Sequence, residues 1–256
     1  MERLLAGTAV AHLLLASVGG VLLLAEAPAI LGVHAALKPT KFALSIGVFL
    51  ATAAVLVPRL SLSPLGRTCL AATLSFTMVV EMIAILVQAA RGTTSHFNQT
   101  TPFDHIIWNV MGAAIVVACV AMLWAAVVAT WRPLLDLEGR PLPPALALGW
   151  RAGLWIFQLS ALTGFMMGGR SAHSVGGSDG GPGLPLVNWS TTHGDLRVSH
   201  FIALHAWQLL PLLASLVGRT PLGPRMGVAL VAAASVVVVG FCLGTLAQAQ
   251  LGRPLL

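Results

Sequence analysis

Tyrosine is absent from the 256 residues, cysteine occurs three times and acidic side chains only eight times. The missing tyrosine removes one common carrier from redox and proton-transfer chemistry. Cys69, Cys119 and Cys242 lie within or at the edge of apolar runs, where a thiol behaves as a small hydrophobe. They imply neither a disulfide framework nor a cysteine metal site. Charged residues make up 9% of the chain against 57% hydrophobic, too little polar surface to cover a soluble domain. Also missing are the HExxH zinc motif, the GxSxG nucleophile elbow, the Walker loop and the cysteine haem-attachment motif. No helix carries the histidine near each membrane face with which two-haem cytochromes stack their cofactors.

What is present is apolar sequence in spans. A bilayer core of about 30 Å needs roughly 20 apolar residues per helix. Runs and breakers predict an all-α, polytopic transmembrane bundle of about seven helices, near 4–24, 42–58, 68–90, 105–130, 145–168, 198–217 and 226–248. Together they make residues 1–256 a single integral membrane domain. Pro58, Pro64, Pro133, the Pro141–Pro144 cluster, Pro221 and Pro224 fall between runs, where proline ends a helix without breaking one. Pro211 lies inside the sixth run. Residues 1–27 imitate a secretory signal, with Arg3, an apolar run and Ala25-Glu26-Ala27. The run is longer than a typical signal core of about 7–15 residues and is read as the first helix.

The net charge of +6 comes from arginines and lysines scattered at the ends of apolar runs, which is a topology pattern and not a nucleic-acid patch. With the N-terminus inside, one side receives Arg3, Arg59, Arg67, Arg132, Arg140, Arg151, Arg219 and Arg225. The other receives Lys38, Lys41, Arg91, Arg170, Arg197 and Arg253. The bias favours an N-inside, C-outside orientation in a cell inner (cytoplasmic) membrane. The inner connections then hold no histidine. The outer connections and adjoining helix ends hold His34, His96, His105, His173, His193 and His200, with Glu26, Asp104, Asp179 and Asp195. The longest connection, 169–197, is glycine-rich and reads as a lid or as an unstructured segment. Asn98-Gln-Thr and Asn188-Trp-Ser match the glycosylation pattern.

At about 1.5 Å per residue, Glu81 lies about 15 Å from Arg91, His205 about 12 Å from Arg197 and His12 about 13 Å from Arg3. Ionisable groups at such depth face the bundle interior and pair, and Glu81 is expected to meet His12 or His205. Thr77, Glu81 and Gln88 fall on one line of the third helix. The fourth helix begins with Asp104 and His105, with Asn109 one turn on, and Asp104 or the preceding Thr101 suits an N-cap, with Pro102 near the first turn. On the sixth helix Asp195 precedes His200 and His205, five residues apart and therefore on different faces, with Gln208 sharing the His205 face.

Neutral imidazole is a common ligand of metals and haem, and carboxylates orient it or carry protons. The first reading is therefore a haem or transition-metal site in the outer half of the bundle with a redox role, as in a membrane oxidoreductase. In it His12, His105 and His205 bind the cofactor, His96 and His200 ligate metal, and Glu81, Asp104 and Asp195 are the catalytic carboxylates. A second reading is a proton-coupled transporter or channel that takes a small molecule or ion from the extracytoplasmic side. A third is a non-catalytic subunit or sensor whose polar network positions helices. Each reading places the protein in a lipid bilayer and none requires nucleic acid.

The stretches Arg91-Gly-Thr-Thr-Ser-His-Phe-Asn-Gln-Thr-Thr-Pro-Phe-Asp104 and Gly194-Asp-Leu-Arg-Val-Ser-His-Phe-Ile-Ala-Leu-His205 resemble those of bacterial polytopic membrane proteins to which no activity is attached. The resemblance covers the third to sixth helices at most and implies only that class.

Overall fold

The computed structural model describes residues 2–256. Among them are seven helices long and apolar enough to cross a membrane, which makes the chain a multi-pass integral membrane protein. They are α1 (Glu2–Leu22), α2 (Leu37–Leu56), α3 (Pro64–Ala90), α4 (Pro102–Trp131), α5 (Pro144–Arg170), α6 (Leu196–Val217) and α7 (Pro224–Gln250). Two short antiparallel hairpins, β1 (Ala29–Ile30) with β2 (Val33–His34) and β3 (Ser174–Val175) with β4 (Gly194–Asp195), lie in connections. Large apolar side chains such as Phe76, Val236 and Phe241 are exposed along the spans, as lipid-facing surfaces require.

Most helices begin earlier than the apolar runs suggest, and the reason is proline. Pro64, Pro102, Pro144 and Pro224 each occupy the first helical position, where the missing N–H would have had no partner anyway. Pro39, in the first turn of α2, is tolerated for the same reason. Ser63 caps α3 by accepting from Gly66 N at 3.1 Å, and Asp195 caps α6 by accepting from Arg197 N at 3.0 Å. Pro211 sits within α6, which runs on through it.

The chain divides into two compact units, Met1–Ala121 and Met122–Leu256. In the first, α1 buries a seam of Leu5, Ala9, His12 and Ala16, and α3 buries a broad face that includes Thr77, Glu81 and Gln88. The expected polar line on α3 therefore faces inward.

In the second unit α5 and α6 approach through Gly149-x-x-x-Gly153. A methyl at Gly153 would lie 2.5 Å from Trp207 Cα, and one at Gly149 would lie 2.8 Å from the Leu210 carbonyl oxygen. Only glycine permits this backbone contact, the small-residue packing that membranes favour. Trp207 fills the crossing against Trp150 and Phe157, and Ile156, Ala203, Leu210 and Cys242 continue the core. The Ser199 hydroxyl donates to the Cys242 carbonyl at 2.8 Å and ties α6 to α7.

The 171–195 connection is not structureless. The β3–β4 pair closes its ends, and a bridge joins Gly183 to Ser190 inside it. Buried Asp195 accepts from Ser190 N at 2.7 Å and from the Arg197 guanidinium. Asp179 accepts from His173 N, Ser174 N and the His173 ring. Burial opposes ionisation of Asp179, but these hydrogen bonds outweigh it and hold the carboxyl well below the usual range.

Candidate functional site

The site is built where α3 ends. Arg91 closes the helix, Gly92 adopts φ +70°, and Thr93 N donates back to the Gln88 carbonyl at 3.0 Å. The chain then turns into a loop organised by two side chains. Asn98 donates to Thr93 Oγ1 and the Thr94 carbonyl, and its oxygen accepts from Thr100 N and Oγ1. Asn98 is buried and fully bonded, so the glycosylation pattern that begins there does not mark an exposed acceptor.

Asp104 is the second organiser. Thr101, not Asp104, is the cap of α4. Its hydroxyl accepts from Asp104 N at 3.2 Å and lies 2.6 Å from Asp104 Oδ2. From the first turn, buried Asp104 accepts from Gln88 Nε2 at 2.8 Å, from Thr100 Oγ1 at 3.0 Å and from the Arg91 guanidinium. Arg91 also donates to Gln88 and lies over the Phe103 ring. This network ties the start of α4 to the end of α3.

Held in this way, the loop delivers His96 to Glu81. The carboxylate is buried and lies nine residues before the end of α3, about 14 Å along the helix. His96 Nε2 is 3.6 Å from Glu81 Oε1, an ion-pair distance somewhat beyond a hydrogen bond. Glu81 Oε2 is buried with no hydrogen-bond partner. The imidazole rests in an aromatic box of Phe42 at 5.3 Å, Trp108 at 5.8 Å and Phe97 at 6.1 Å between ring centroids. Phe97 reaches Trp108 with a left-handed backbone, φ +61°, which is unusual for a bulky residue. Lys38 Nζ lies 5.8 Å from the Phe42 ring centroid.

The expected meeting of Glu81 with His12 is thereby corrected, because depth arithmetic left the loops outside the span and did not consider one folding back. His12 is buried on the α1 seam. Its Nδ1 donates to the Thr8 carbonyl at 2.7 Å, and its Nε2 has no hydrogen-bond partner. His105 is exposed at the start of α4, and Asn109 bonds its backbone carbonyl. In the second unit, His200 Nδ1 donates to the Ser160 carbonyl at 2.8 Å, with the Thr163 hydroxyl at 3.3 Å. His205 packs edge-on to Phe201, their centroids 4.4 Å apart. Asp195 serves as a helix cap and loop anchor. Among the described residues no three His, Cys, Asp or Glu side chains gather as a metal site would need.

Helical spacing placed Glu81 and Gln88 on one line of α3, with His96 and Asp104 among the outer groups, but it joined neither His96 to Glu81 nor Asp104 to Gln88 and gave no sign of the aromatic box. The available signal was the density of Thr, Asn and Gly between Arg91 and Asp104, a composition suited to side-chain-bonded turns.

No family model, curated protein or solved structure matches the chain.

Proposed function

We propose that this membrane protein moves protons, alone or with a small solute, and that Glu81 and His96 form its proton-binding site. The observation that carries the reading is the buried Glu81 carboxylate, with one oxygen facing a loop histidine and the other unpartnered. A carboxylate within a span is expensive in hydrocarbon, and such groups mark ion and proton paths. Carboxylate and imidazole both exchange protons, and at 3.6 Å a small ring movement or one bridging water completes the transfer. The aromatic box suits a protonated imidazole, because ring faces attract a cation. The Asp104–Arg91–Gln88 network positions the loop that carries His96. With the N-inside orientation favoured by the arginine distribution, this loop faces the extracytoplasmic side and protons enter from there. The test is flux in liposomes. Glu81→Gln should suppress proton-driven flux and its pH dependence with expression intact, and unchanged flux would count against the reading.

One observation favours a second reading, a haem or transition metal. His12 and His200 each donate Nδ1–H to a backbone carbonyl, which leaves Nε2 with its lone pair, the tautomer a ligand histidine needs. His12 Nε2 is also buried and unpartnered. Metal analysis and an optical spectrum of purified protein test it. A bound chromophore or metal lost in His12→Ala supports it, and a colourless, metal-free, folded preparation refutes it.

A further inference from the structure

We infer that the second unit holds an anionic phospholipid in a cleft between the start of α5 and the end of α6. The cleft has a volume of about 260 Å³ and is lined by Ala145 and Leu146 from α5 and by Ala214, Ser215, Gly218 and Arg219 from the end of α6. It opens where both spans finish, at the level where a lipid headgroup meets its acyl chain. Its lining is apolar apart from Ser215 and Arg219, and the Ser215 hydroxyl is turned to the Pro211 carbonyl.

Arg219 makes the choice of occupant. The four acidic side chains of this unit are engaged elsewhere: Asp136 and Glu138 with Arg140, Asp179 with His173 and Asp195 with Arg197. The exposed guanidinium of Arg219 therefore has no ion-pair partner among the described residues. α5 opens at the cleft with no side chain capping it, so its first N–H groups add partial positive charge. A phosphate on Arg219 with an acyl chain along Leu146 and Ala214 satisfies both halves of the cleft. In the N-inside orientation this is the cytoplasmic leaflet, whose anionic lipids attract basic residues near the surface.

Native mass spectrometry of the full chain, titrated with phosphatidylglycerol or phosphatidylcholine, tests the site. One phosphatidylglycerol should be retained in preference to phosphatidylcholine, and Arg219→Gln should weaken its binding about fivefold. Arg225→Gln, which removes an exposed charge outside the cleft lining, should leave binding unchanged. Ser215→Trp should lower it with Arg219 intact. Equal retention of the two lipids, equal losses in the two arginine variants, or displacement by inorganic phosphate alone would each overturn the site.

Discussion

Replacing Gly153 with alanine probes the closest backbone approach in the second unit. The added methyl would lie 2.5 Å from Trp207 Cα, 3.0 Å from the Ala206 carbonyl oxygen and 3.1 Å from Trp207 Cβ. Carbon atoms rest at about 3.5–4.0 Å, so α5 and α6 must part by about 1 Å, because backbone atoms cannot rotate aside. A gap of that size forfeits about a quarter to a half of the contact energy of the atoms lining it, and overpacking costs about 1–3 kcal/mol. Alanine also gains about 1 kcal/mol over glycine in helix propensity, which masks part of that cost. The matched reference is Gly240→Ala in the middle of α7, where an added methyl meets nothing within 4 Å. Unfolding in mixed micelles of rising dodecyl sulfate, followed by tryptophan fluorescence from Trp150 and Trp207 at the crossing, gives both stabilities. Gly153→Ala should fall below Gly240→Ala by about 1–3 kcal/mol. Equal stability of the two variants would refute the packing argument.

Asp104→Ala should destabilise the first unit, because it removes the acceptor shared by Gln88, Thr100, Thr101 and Arg91, with the Arg91 share small since that guanidinium remains 38% exposed. Asp136→Asn, whose partner Arg140 is exposed, should cost clearly less than Asp104→Ala in the same denaturant titration. Asp179 has a depressed carboxyl pKa, so its contribution to the 171–195 loop is full above the ordinary value near 4 and is lost as pH falls below it. The protection factors of that loop, with hydrogen exchange corrected for the intrinsic pH dependence of amide exchange, should therefore fall in acid in the wild type. In Asp179→Asn they should be lower already at neutral pH and respond little to acid. Acid-insensitive protection in the wild type would contradict the assignment.

The spans were legible because apolar runs of membrane length admit few other structures. Their starts were less so, since Pro64, Pro144 and Pro224 read as breakers and act as first helical residues. The inward line of Thr77, Glu81 and Gln88 followed from helical spacing and is buried as expected. The partner of Glu81 was not legible. His96 reaches it because Thr93 bonds back to Gln88 and Asn98 folds the loop, and these are contacts of the folded chain that spacing does not encode. The close approach of α5 and α6 was available in the sequence as Gly149-x-x-x-Gly153 and went unread beside the longer apolar runs. His105, read as a cofactor ligand at the outer end of the fourth helix, lies exposed at the start of α4.

The most direct test of the proton-binding site is pH-difference infrared spectroscopy of the reconstituted protein, which observes a buried carboxyl gaining or losing its proton without knowledge of any substrate. The account predicts a carboxyl C=O band that titrates in the wild type, vanishes in Glu81→Gln and appears at a different pH in His96→Gln. A difference spectrum unchanged by Glu81→Gln would contradict it.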